Sequence, residues 1–153
     1  QGSRYDGTGN LVNWWTDEDR ERFIERVQGL IDQYDVLVPE GLEPSDTVNG
    51  SLTVGENIGD LGGLGIAWKA LNIASDGNVS EDDARAFFTA WAVAWKSKFR
   101  AEERRRRLAV DPHSPEEFRC NQVLKNMDAF HETFGTKPGD GMWLDPAERV
   151  SIW

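Results

Sequence analysis

A single cysteine, Cys120, leaves this chain without any possible intrachain disulfide. No apolar run approaches the ~18 residues that a membrane-spanning helix needs, so nothing in these residues is expected to span a membrane. Basic residues are scarce: 17 Lys and Arg stand against 27 Asp and Glu, for a formal net charge of −10. Phosphate binding needs a basic field, and nucleic acid is therefore not an expected partner. There is no phosphate-cradling glycine loop with lysine, no G-x-S-x-G and no Cys-x-x-Cys. Calcium loops starting at Asp6 or Asp76 fail as well, since neither has glycine at its sixth position or glutamate at its twelfth. The sequence opens on Gln1 rather than Met, with no signal-like segment after it, and so reads as starting after processing or at a boundary set by design.

What is present is globular in character. Hydrophobic residues make up 39% of the chain and charged residues 29%, which sets it apart from disordered sequences, and 153 residues suffice for one domain or one piece of a larger domain. Seven tryptophans and seven phenylalanines predict bulky aromatic packing. The elements expected are helices. "RYDGTGNLVNWW" carries turn residues at Asp6-Gly7 and Gly9-Asn10 and reads as a loop or hairpin arm. Thr16, with Asp19 three residues on, predicts a capped helix to residue 35 with a stripe of Phe23, Val27, Leu30, Ile31 and Tyr34. Residues 36–50, with two prolines and two glycines, read as a connection. A second helix is expected over about 54–74. A third opens at Ser80 with Asp83 and buries Ala84, Phe87, Phe88, Trp91, Trp95 and Phe99. The run Arg104–Arg107 falls at the end of a helix and reads as a solvated face that complements the helix dipole. Ser114, Pro115 and Glu117 predict a capping box for a last helix, which turns Cys120, Val123, Leu124, Met127 and Phe130 inward. Cys120 then reads as a core residue, and the apolar end Ile152-Trp153 as a docked terminus.

Three places carry candidate chemistry. In "SLTVGENIGDLGGLG", residues 51–65, Glu56 and Asp60 lie one helical turn apart on the same face. Glu56 can be read as the partner of Thr53 in a capping box. Two like charges beside an apolar stripe also repel, and they ask for a close positive partner, a metal ion or imidazole groups. As a glycosidase pair they are a poor match, because such carboxyls must flank the scissile bond. His113 sits between Pro112 and Ser114 and close to Asp111. It reads either as a surface histidine bonded to Asp111 or as a donor fixed in one tautomer by Asp111 and aimed at a developing oxyanion. Arg119 reads either as a surface residue or as a planar fork for a substrate carbonyl or carboxylate.

These stretches resemble one family. "VNGSLTVGENIGDLGGLGIAWKAL" is similar to the segment that carries the third zinc ligand in the neprilysin-like M13 zinc metallopeptidases, whose pattern runs V-N-G-x-L-T-x-G-E-N-I-A-D. "DPHSPEEFRCNQVLKNMDAFHETFG" resembles the family's D-x-H-S-P-x-x-x-R segment. "ERVSIW" resembles its terminus, and "QGSRYDGTGNLVNWWT" the residues after its zinc helix.

The resemblance implies a mainly α-helical, C-terminal part of a thermolysin-like (gluzincin) catalytic domain over residues 1–153, acting with Zn2+ as an endo- or oligopeptidase on peptides. By the same resemblance Glu56 is the third zinc ligand and Asp60 the acid that orients a zinc-bound histidine, with a catalytic role. His113 stabilises the oxyanion, Arg119 contacts the substrate carbonyl, and Asp111 holds His113. The family's H-E-x-x-H is absent, since the two histidines are His113 and His131. The resemblance places it a few residues before Gln1, so this chain alone is expected to hold zinc weakly and cleave nothing. Its expected partner is then the missing N-terminal portion. Position 59 is Gly where the family has Ala. With Cys120 alone, the disulfides of animal members cannot form within these residues, which favours a bacterial-type enzyme. The competing class is a helical interaction or scaffold module, in which Glu56 only caps and His113 is a surface group. The two readings differ in whether Glu56, Asp60, His113 and Arg119 converge.

Overall fold

The computed structural model describes residues 2–152, and among them six α-helices form with no β-strand. They are α1 (Asp17–Asp35), α2 (Gly50–Ala74), α3 (Glu81–Ala94), α4 (Ala101–Val110), α5 (Glu116–Lys125) and α6 (Asp128–Phe134). The predicted hairpin arm reduces to an isolated antiparallel bridge between Tyr5 and Leu11. Its turn is tied by Asp6, and the Asn10 backbone N–H and the Thr8 hydroxyl that bond its carboxylate hold its pKa down at about 2.

The two Ser/Thr caps with acids three residues on form as expected. Asp19 N donates to Thr16 Oγ1 at 3.1 Å, and Asp83 N to Ser80 Oγ at 3.1 Å. Two other predicted caps do not form. α2 begins at Gly50, capped by Asn49, whose side chain accepts from Leu52 N at 3.0 Å. Thr53 therefore lies inside the helix, and Glu56 has no capping role. α5 begins at Glu116 with Pro115 as its N-cap, and the Ser114 hydroxyl is turned away into the interior. α3 ends at Ala94, which leaves Phe99 outside the stripe and under the Arg107 guanidinium, 4.7 Å from the ring centroid.

The arginine run is corrected in part. Arg105 and Arg106 face solvent as expected, but the run also makes ties to other elements: Arg105 pairs with Asp46 at 3.1 Å, Arg107 with Asp111 at 3.0 Å and with Glu116 at 2.8 Å, and Arg104 with Glu117 at 3.8 Å. Only Arg106, paired with Glu103, stays local to the helix.

One core joins the elements. Leu30 and Tyr34 of α1, Leu61 and Leu64 of α2, Phe88 of α3, Cys120, Val123 and Leu124 of α5, and Phe130 of α6 are all buried together. Phe88 anchors the aromatic layer, stacked with Trp68 at 5.1 Å and edge-on to Phe130 at 5.7 Å. Ile152 is buried in this core and its carbonyl accepts from Arg26, so the chain end docks there; Trp153 lies outside the described residues. His131 is buried, with Nε2 against the Lys125 carbonyl at 2.8 Å.

α1 and α2 come close together at Gly50. Its N–H donates to Asp35 Oδ1 at 2.6 Å, and an added Cβ would lie 2.5 Å from the Ile31 carbonyl oxygen. The obstacle is backbone, so it cannot swing aside. Gly50→Ala is expected to destabilise the chain by about 1–3 kcal/mol, the usual range for overpacking, measured as a lower urea midpoint at unchanged m-value.

Away from α1 and the core, α2 shows an apolar outer strip. Leu52, Ile66 and Ile73 are exposed, and nothing lies within 4 Å of a Cβ built on Gly55, Gly59 or Gly63. Helices that are apolar on every side are ordinarily buried. Among the described residues, none covers this strip at those three glycines.

Candidate active site

The outer strip of α2 borders the place where the predicted residues gather. Glu56 and Asp60 project from successive turns of α2. Residues 111–115 link α4 to α5 and carry Asp111 and His113, and Arg119 lies in the first half of α5. The His113 ring stands between two carboxylates: Nδ1 is 2.8 Å from Asp111 Oδ1 and Nε2 is 3.4 Å from Glu56 Oε2. The His113 backbone N–H also donates to Asp111 Oδ1 at 3.0 Å, so one carboxylate fixes both ring and main chain.

Asp111 is itself held. Partial burial pushes its pKa up, but the two His113 hydrogen bonds and the Arg107 charge outweigh that and bring it below the ordinary carboxylate value. It is thus an acceptor committed to the ionised form. Glu56 and His113 keep side-chain exposures of 48% and 42%, enough to meet something beyond this chain.

Beneath them lies a second pair. Arg119 grips Asp60 in bidentate fashion, Nε to Oδ2 at 2.7 Å and Nη2 to Oδ1 at 2.8 Å. The guanidinium also lies over the Trp95 ring at 4.2 Å from its centroid. Hydrogen bonding to Asp60 raises the pKa of Arg119, with the Glu56 charge adding to the effect. Burial raises the Tyr34 phenol, and the Asp60 charge pushes it further the same way.

All five residues singled out in the sequence therefore share one region instead of facing different sides of the fold. The arrangement does not favour the scaffold reading. One relation differs from the expectation. Arg119 commits Nε and Nη2 to Asp60, so Asp60 has a cationic partner inside this chain.

Sequence reasoning missed Trp95, taken only as a core residue, and Asn57 and Ser114, which connect Glu56's helix to His113's loop. Asn57 left a signal: an amide in the heptad position of the buried face, between Val54 and Leu61. Trp95 left none, because its use depends on an arginine 24 positions away.

A metal ion can be tested against these donors. Glu56 offers a half-exposed carboxylate suited to zinc. Among the described residues, however, no three His, Cys, Asp or Glu side chains are grouped to hold a metal. The fit is that of one ligand within an incomplete set, with an imidazole already near.

Comparison with known proteins follows the same line. The family model for "Peptidase family M13" matches residues 1–150. A neutral endopeptidase of Lactobacillus helveticus is 39% identical over 99% of this chain, which covers 22% of that protein. The crystal structure of the zinc metalloprotease Zmp1 of Mycobacterium tuberculosis, in complex with an inhibitor, superposes with a TM-score of 0.92 at 49% identity, covering 100% of this chain and 24% of that one. PepO from Lactobacillus rhamnosis HN001 superposes with a TM-score of 0.89 at 37% identity, covering 99% and 23%. The chain thus spans between a fifth and a quarter of the length of the relatives it matches.

Proposed function

This chain belongs to peptidase family M13, and on that premise we propose that it is the C-terminal part of a zinc-dependent endo- or oligopeptidase. In this reading it supplies one zinc ligand and the residues around the reacting carbonyl. Glu56 is the ligand. Bound there, zinc would polarise a peptide carbonyl and make hydroxide available near neutral pH. Asp60, clamped by Arg119, orients a histidine ligand contributed from outside this chain, as carboxylates do for zinc-bound imidazoles. His113 is held through Nδ1 by Asp111, and through Nε2 it stabilises the oxygen that gains charge as the peptide carbonyl is attacked. Arg119 reaches the substrate carbonyl with whatever donor capacity Asp60 leaves free.

The single observation that carries this reading is the half-exposed Glu56 carboxylate, 3.4 Å from a histidine whose other nitrogen is fixed by Asp111. The same chain contains no H-E-x-x-H. The other two ligands and the general base therefore come from the remainder of a longer protein, and the uncovered strip of α2 is the surface against which that portion would pack. Peptides are the substrate class. These 153 residues alone are inactive.

The test compares the full-length protein with the 153-residue chain. With zinc supplied, the former should hydrolyse oligopeptides and retain about one zinc per chain, and the latter should do neither. Full-length protein that carries zinc yet cleaves no peptide rejects the reading.

A further inference from the structure

The two elements of the candidate site are joined beneath it by a hydrogen-bonded line of buried polar groups. The Ser114 hydroxyl donates to Asn57 Oδ1 at 2.7 Å, Asn57 Nδ2 donates to Thr53 Oγ1 at 3.0 Å, and the Thr53 hydroxyl donates to the Asn49 carbonyl at 3.2 Å. Asn57 is 1% exposed, Ser114 2% and Thr53 3%. Such groups are costly to bury unless each finds a partner, and here each donor has one acceptor in a single direction. The line descends α2 in steps of four residues and fixes the Asn57 amide, whose oxygen must face Ser114 because its nitrogen is used by Thr53.

Its placement gives it a consequence for the site. Asn57 directly follows Glu56, and Ser114 directly follows His113. Between α2 and the 111–115 loop, the Asn57–Ser114 bond is thus one residue removed from the Glu56–His113 approach on both sides. The exposed approach is loose at 3.4 Å, whereas the buried bond is short and sheltered from water.

Resting on the peptidase reading above, we propose that Asn57 and Ser114 are positioning residues, a brace that sets the separation between the Glu56 carboxylate and the His113 ring. Neither touches substrate or metal. Without the bond, the loop is still tied to α4 and α5 through Arg107, Asp111 and Glu116, and α5 to α2 through Asp60 and Arg119, but the link to α2 nearest the Glu56–His113 approach is gone. Catalytic groups misplaced by about an ångström lose on the order of 100-fold in rate, and supporting partners of metal sites on the order of 10- to 100-fold.

The experiment takes the full-length protein with Ser114→Ala, Asn57→Ala and both together. It measures kcat, KM, thermal unfolding and the crystallographic Glu56–His113 separation. The brace predicts that kcat falls at least about 10-fold in each single variant while KM stays within about twofold, at temperatures where the protein is folded. The double variant should be no worse than the poorer single one, because both remove the same bond. In the crystal, Ser114→Ala should widen or scatter the Glu56–His113 separation. Wild-type kcat in a folded Ser114→Ala protein overturns the proposal, as does an unchanged separation. If the parent hydrolyses no peptide at all, the peptidase reading fails by itself, and the crystallographic separation still decides the brace. Should Asn57→Ala fail to fold, Ser114→Ala decides alone, since it deletes one oxygen without opening a large cavity.

Discussion

Glu56→Ala in the full-length protein should remove most of the bound zinc and lower peptide hydrolysis at least about 100-fold, beyond what the loss of a supporting partner costs. The variant should nevertheless fold. Glu56 is half exposed, takes no part in capping α2, and meets only His113 among the described side chains in ion-pair range. Thermal unfolding of the zinc-free proteins should therefore coincide within about 0.5 kcal/mol, the range for surface substitutions, while zinc content differs. Metal analysis and single-turnover hydrolysis on the same preparation make the separation clean. Equal zinc occupancy in wild type and variant would reject Glu56 as a ligand, whatever happened to the rate.

The second large effect concerns Asp60 and Arg119, and it should appear in stability as well as rate. Their side chains are 11% and 18% exposed, and two hydrogen bonds of 2.7 and 2.8 Å join them. Breaking a pair of this kind from one side leaves an uncompensated charge and costs about 3–5 kcal/mol, whereas replacing both partners together is often close to neutral. Asp60→Leu and Arg119→Met should each lower the denaturant midpoint strongly. The double variant should recover much of that stability, yet regain none of the activity. A cost below about 1 kcal/mol for either single variant would mean the pair behaves like an exposed one, and the clamp would lose its role in holding Asp60.

Much of this was legible in the amino-acid sequence, and the divisions follow physical range. Where a signal is local, the residues announced it. Thr16 and Ser80 cap their helices because the acid that supports each cap lies only three residues away, and Cys120 is core because its helical period says so. Ser114 had the same local signature and failed it. Its hydroxyl had a better partner 57 positions earlier in Asn57, a desolvated bond that no window of sequence contains. Likewise Thr53 looked like a cap until Asn49 started the helix one turn sooner. The arginine run was read only in part for the same reason: its exposed face was foreseen, but Asp46, Glu116 and Glu117 reach it from other elements.

The residues of the candidate site, Glu56, Asp60, Asp111, His113 and Arg119, were legible from their side-chain chemistry and from the family pattern they resemble. What the pattern left out was how they are held. The Asp60–Arg119 clamp, the Trp95 ring under the guanidinium and the Asn57–Ser114 bond all span long separations along the chain. They depend on the packing of α2 and of the end of α3 against α5 and the loop before it, which no motif encodes.

The bare backbone of α2 at Gly55, Gly59 and Gly63 sets a tolerance for assembly. Hydrogen atoms in place of methyl groups let a neighbouring rod settle lower by roughly a side chain's thickness. Since Glu56 lies beside that ridge, a methyl added at Gly55 or Gly63 would hold any helix packed there further from the Glu56 carboxylate.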